Sequence, residues 1–279
     1  MARALRSAVL LMSMVATTAP LSAAGSTPLE LVRNVRAQGC RSHPGTAAPL
    51  RYIGGLNEAA LAVSQGMSLR TAVARAGYRE EQSTSIHVSG DLSALQHVLA
   101  NQLCDTVADP SFSDIGIAQR GRDIWMIFAV PFHPPSAANA GSVGTELLQR
   151  INVARAKPRR CGNRLFPAAQ PLQPNTMLRA AAEAHARDML DYNYFAHEGR
   201  DGSNPAQRVT AAGYAYRIVG ENIASGPVTA AEAVEGWLQS PEHCENLMDT
   251  RFTDSGVAFA ASGSGPPRIY WVQEFGTPR

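Results

Sequence analysis

Two histidines and a glutamate carry the chemical interest of this chain. His197 lies in the segment Phe195-Ala196-His197 ahead of a Gly-rich turn, Glu221 stands in Gly220-Glu221-Asn222, and His243 directly precedes Cys244. Two neutral imidazoles and a carboxylate can hold Zn2+ or another divalent cation and leave a fourth position open for water or substrate. The same groups could instead bind a polar ligand, or pass a proton, with Glu221 as the candidate catalytic group. No local metal-binding motif joins them, so each is also readable as an isolated, satisfied polar group. His185 shares a helix face with Leu178 and Met189, which favours a buried, hydrogen-bonded histidine over a ligand. Cys244 beside His243 has the form of a thiol–imidazole pair, but an oxidising compartment makes it a disulfide half. Ser240 reads as a helix cap rather than a nucleophile.

The elements that must position these groups are legible from caps and periodicity. Thr145 can cap a helix over residues 145–157, with Pro158 just past its end. Asn175 can cap a second over 175–190, and a short third runs over 205–212 with Gly213 behind it. Residues 216–218 read as a strand leading into Gly220, which places Glu221 at a strand end. Thr229 and Glu232 form a capping box that opens the helix carrying Val234 and Trp237. Ser240 caps the next, with Pro241 at its first position and Glu242 in its first turn. Strands over 255–260 and 268–275 finish the chain. Several helices around few strands predict an α+β layered domain with an antiparallel sheet.

Composition excludes some functions. The chain has 279 residues, 45% hydrophobic, with a net charge of +2 and its basic residues scattered. It can bury cores, and it lacks the clustered Lys and Arg of a nucleic-acid footprint. Arg3 and Arg6, an apolar run over residues 8–15 and Ser22-Ala23-Ala24 have the form of an export signal over residues 1–24. The run is too short to span a membrane, and nothing later in the chain is long enough either. The expectation is a secreted or periplasmic protein, without a transmembrane anchor once the signal is cleaved. In such a compartment disulfides persist.

An internal repeat pairs the cysteines. Laying LCDTVADPSFSDIGIA (103–118) on HCENLMDTRFTDSGVA (243–258) needs no gap and matches Cys104 with Cys244. Further matches run in the same order along both halves: Cys40 with Cys161, Leu56 with Leu178, Tyr78 with Tyr214 and Trp125 with Trp271. We read a tandem duplication with disulfides Cys40–Cys104 and Cys161–Cys244. The first copy (25–130) is shorter. It lacks the segment around His197 and part of the region around Glu221, and has Leu103 in place of His243. A stretch rich in Pro, Ala, Gly and Ser, residues 131–144, reads as the linker to the second copy, 145–279.

Residues 147–276 resemble the CAP superfamily of cysteine-rich secretory, antigen 5 and pathogenesis-related proteins. The resemblance rests on LRAAAEAHARDM, FAHEGRDGSNPAQRVTAAGY, GENIASG, WLQSPEHCENLMD and YWVQEFG, in the family's order; SPEHCENLM is similar to the bacterial, SCP-like branch. The resemblance implies a three-layer α-β-α sandwich with a central cleft carrying two His and two Glu, able in some members to hold a divalent metal. His197 and Glu221 match that tetrad. The family's acid three residues after the Trp falls on Ser240, and its second His falls on Tyr270. His243 matches the bacterial SPxH histidine and supplies the second imidazole. The cleft set is thus His197, Glu221, His243, Ser240 and Tyr270, with His197 and His243 as the metal ligands. The implied role is binding of a metal or of a small or lipid-like ligand in the cell envelope. The alternative is a metal-dependent hydrolase of protease or esterase type using the same cleft.

Overall fold

The computed structural model describes residues 27–40 and 43–279, so the expected export signal lies outside the described residues. Thr27 and Glu30 close a capping box that starts α1 (Pro28–Gln38). There follow β1 (Arg51–Tyr52), α2 (Gly54–Ser64), α3 (Leu69–Arg75), β2 (Glu80–Ser89), α4 (Leu92–Asn101), α5 (Cys104–Ala108), β3 (Asp114–Arg120) and β4 (Asp123–Pro131). The strands form one sheet in the order β1-β3-β4-β2, parallel at β1–β3 and antiparallel elsewhere.

The second half contains α6 (Ala140–Arg155), the hairpin β5 (Arg159–Cys161) and β6 (Arg164–Phe166), β7 (Gln173–Pro174) and α7 (Thr176–Tyr192). It continues with α8 (Pro205–Ala211), β8 (Tyr216–Ser225), α9 (Ala230–Gln239), α10 (Pro241–Met248), β9 (Asp254–Ala261) and β10 (Ile269–Pro278). Its main sheet has the order β7-β9-β10-β8, again parallel only at the first pair, which leaves β8 on an edge. Alternation along the strands sends side chains to opposite faces. Ile223, Tyr270 and Val272 pack with Ala182, Ala186 and Met189 of α7. On the other face Trp271 and Phe275 pack with Ile151 of α6, Trp237 of α9 and Leu247 of α10. The result is the expected α-β-α sandwich.

Several local expectations needed correction. Helix α6 starts at Ala140, inside the stretch read as linker, and Thr145 does not cap it; its hydroxyl donates back to the Gly141 carbonyl. Ser240 stands between α9 and α10 but makes no side-chain capping bond. β8 runs on through Ser225, so Glu221 sits within a strand, not at its end. The sequence hid this because Gly220 and the polar pair Glu221-Asn222 look like a turn. Gly213, by contrast, does take the left-handed φ of +90° that the end of α8 requires.

The halves share more than strand order. Arg36 in α1 is buried and donates to the carbonyls of Ala48, Val107, Asp109 and Phe112. Arg155 in α6 is fully buried and donates to those of Gln170, Leu247, Asp249 and Phe252. Burial lowers the Arg155 pKa to about 10, so the charge persists at neutral pH and is met by carbonyl dipoles. Tyr78 donates to Asp114 and Tyr214 to Asp254, each in its own half. Gly116 lies against the backbone of Leu56, and Gly256 against that of Leu178 and Arg179, so close that neither position has room for a Cβ. The disulfides are Cys40–Cys104 and Cys161–Cys244. The halves meet where Arg79 donates to the carbonyls of Ser262 and Gly263 and lies over the Phe132 ring.

Candidate ligand-binding site

Strand β8 places Glu221 on the face covered by α7, directly opposite Glu274 of β10. The Glu221 side chain is 1% exposed, yet both carboxylate oxygens are engaged. Oε1 lies 2.6 Å from Nδ1 of His197, and Oε2 accepts from Nη2 of Arg208 at 2.6 Å. Arg208 comes from α8, where a capping box of Asn204 and Gln207 fixes the first turn. Its other terminal nitrogen donates to the Ser203 carbonyl, which orients the guanidinium. Burial opposes ionisation of Glu221, but the His197 bond and the Arg208 charge outweigh it and hold the carboxyl below its usual range.

That ionised carboxylate sets the state of His197. It accepts hydrogen bonds only, so in the neutral ring Nδ1 carries the proton and Nε2 keeps its lone pair. The His197 side chain is 53% exposed, so the ring is held from behind and open in front. Phe195, 51% exposed, stacks on the buried ring of Tyr270 at 6.3 Å, which puts an apolar surface two residues from the imidazole.

His243 arrives differently. It sits in the first turn of α10, on the opposite face of the sheet, and its backbone carbonyl accepts from Asn222. Its ring is half-buried and makes no side-chain hydrogen bond among the described residues. Burial and the nearby charge of His197 lower its pKa. The structure therefore joins His197 to Glu221 directly and leaves His243 an electrostatic neighbour bonded to neither. Among the described residues no three His, Cys, Asp or Glu side chains gather as a metal-binding group. Glu221, the expected third ligand, is already held by Arg208 and His197. The residues present do not fit a three-ligand metal centre.

Three groups that pattern reading did not bring into the site surround Glu221. Arg208 gave no signal, being one cation in a short helix. Glu274 did: it follows Tyr270 and Val272 on one strand face, and a carboxyl in that apolar row is anomalous. It is fully buried, and no donor reaches either oxygen among the described residues. Burial and the Glu221 charge raise its pKa well above the usual range, which favours the neutral acid beside the Glu221 carboxylate. His185, expected to be buried and hydrogen-bonded, is both, with Nε2 2.9 Å from the Ala196 carbonyl. The same nitrogen lies 3.9 Å from Glu221.

Residues 148–275 match the family model described as CAP, cysteine-rich secretory protein family. They are a CAP domain. The uncharacterized protein YkwD of Bacillus subtilis (strain 168) is 37% identical over 106 residues, which cover 38% of this chain and 39% of that protein. The chain thus spans about two fifths of that relative. A crystal structure titled Na-ASP-1 is similar with a TM-score of 0.50 at 11% identity, covering 91% of this chain and 90% of that one, a likeness of fold across both halves. An extracellular SCP-domain protein from Bacillus anthracis str. Ames matches 56% of this chain and 52% of its own, at 20% identity and a TM-score of 0.43.

Within the CAP domain the carboxylates Glu221 and Glu274 face one another across β8 and β10, three residues along from the facing pair Ala224 and Trp271. In the first half Gly116, the counterpart of Gly256, faces Ile127, and Ile127 pairs with Ser85, so Ser85 and Ile127 stand where Glu221 and Glu274 do. Trp125 packs on the α2 side of its sheet and is not the structural counterpart of Trp271. Leu103 precedes Cys104 where His243 precedes Cys244.

Proposed function

We propose that this is an exported protein whose CAP domain binds a small or lipid-like ligand of the cell envelope at His197, with Phe195 and Tyr270 as its apolar wall and His243 beside it. One observation carries the reading. Glu221 is buried, ionised and locked between Arg208 and His197, so the exposed imidazole is preorganised to accept a hydrogen bond from a ligand. Binding is favoured over hydrolysis because, among the described residues, neither His197 nor His243 hydrogen bonds a hydroxyl or thiol that could act as nucleophile, and Cys244 is in a disulfide. No helix among the described residues is long and apolar enough to cross a membrane. The first half serves as a site-less copy packed beside the second, supported by the shared arginine clamps and by Ser85 and Ile127 in the register of the two glutamates.

Native mass spectrometry of the purified protein, incubated with envelope lipid and small-molecule extracts, tests the proposal. An adduct that forms with the parent protein and is lost in His197→Ala supports it. Turnover in an esterase and peptidase panel that Glu221→Gln abolishes would replace binding with hydrolysis.

A further inference from the structure

Asn222 follows Glu221 in β8, and strand alternation turns its side chain to the other face of the sheet, where it is fully buried. Its Nδ2 donates to the His243 carbonyl at 3.1 Å. Asn246, one turn along α10 from His243, donates through its own Nδ2 to the Asn222 side-chain oxygen at 3.0 Å and to the Glu221 carbonyl at 3.3 Å. The two amides thus clasp the helix that bears His243 to the strand that bears Glu221. The His243 ring has no hydrogen bond of its own among the described residues, so its place is set through the backbone of α10. Other tethers hold that helix elsewhere. Cys244 is bonded to Cys161 of β5, Glu245 pairs with Arg164 of β6 at 2.6 Å, and Arg155 of α6 holds the Leu247 carbonyl.

The first half shows that the fold does not demand the clasp. It repeats the arginine clamp and the disulfide, with Cys104 in the place of Cys244. Counting from that cysteine, Thr106 stands where Asn246 does and Leu103 where His243 does. Counting from Ser85, Ile86 stands where Asn222 does. Apolar contact therefore docks the equivalent helix, without the cost of burying amides that must then be paired. The asparagines and the histidine occur together in one half and are replaced together in the other.

We propose that Asn222 and Asn246 are positioning residues for the ligand site, holding α10 against β8 so that the His243 imidazole is fixed beside His197. This rests on the reading of His197 as the ligand contact, but its test needs no ligand, so the two can fail separately. NMR titration of the His243 ring in the parent, His197→Gln, Asn246→Ala and the double variant provides that test. The His197 charge lowers the His243 pKa. Removing it by His197→Gln should therefore raise that pKa in the parent, and should leave it unmoved in the Asn246→Ala background, where the ring is no longer held in place. Arg164→Ala cuts a tether whose arginine is 68% exposed, and should leave the full response to His197→Gln. Asn222→Ser repeats the measurement from the strand side, and replaces Asn246→Ala if that variant does not fold. The proposal is overturned if His197→Gln does not move His243 in the parent, or moves it undiminished in a folded clasp variant. It is equally overturned if Arg164→Ala abolishes the response, or if neither clasp variant folds, which would make the asparagines determinants of the fold alone.

Discussion

Replacing Arg208 by leucine removes the counter-charge of a carboxylate that is 1% exposed. The Coulomb term and the 2.6 Å hydrogen bond vanish together, and Glu221 is left with His197 and the distant ring of His185. Breaking a buried pair from one side typically costs about 3–5 kcal/mol, or a melting temperature lower by on the order of 10 °C for a domain of this size. The pH dependence carries the sharper test. In the parent protein the Glu221 pKa lies below its usual value, so its contribution is present above the unfolded pKa near ~4.3 and lost as pH falls through the lower, folded value. Without Arg208, burial dominates and the folded pKa rises above the unfolded one. The Glu221 contribution then reverses, and stability declines as pH climbs from about 4 toward neutrality. Urea unfolding of both proteins from acid to neutral pH, with disulfides intact, gives the slopes, and adding Glu221→Gln should restore most of the loss in Arg208→Leu. Parallel pH profiles, or a loss that Glu221→Gln does not recover, would refute the reasoning.

Other perturbations follow from the same geometry. Glu274→Gln should become progressively more stable relative to the parent as pH rises above about 4, because a carboxyl with a raised folded pKa destabilises the fold from its unfolded pKa upward; equal urea midpoints at acid and neutral pH would contradict this. Arg155→Met strands four carbonyls and should cost about 3–5 kcal/mol, with Arg36→Met costing a similar amount in the first half; a loss near zero in urea unfolding would mean that the clamps are incidental. Removing the Cys161–Cys244 bridge should cost about 3–5 kcal/mol by freeing a long loop in the unfolded chain, seen as a lower melting temperature for the double alanine variant.

Much of the frame was legible because it depends on local signals. Asn175 and the Thr229–Glu232 box cap their helices as expected, and the cysteines pair within each half. Glu221 was placed at a strand end because its polar neighbours mask a strand held by pairing with β10, a long-range contact that no local pattern encodes. The start of α6 was missed for a related reason. Ala140 to Gly144 has linker composition, yet Val143 packs on the core of the second half. His197 and Glu221 were named from their residue types, but Arg208, which fixes the charge of the pair, became visible only when α8 packed against β8. His243 was expected as the second imidazole from the resemblance to the bacterial SPxH motif; the sheet edge it must pass cannot be read from spacing.

The account rests on Glu221 being ionised and holding His197 by Nδ1. A long-range proton–nitrogen NMR correlation of the imidazole rings measures this directly at a pH where His197 is neutral. The account predicts a proton on Nδ1 of His197 and a bare Nε2. A proton found on Nε2, with Nδ1 bare, would contradict it.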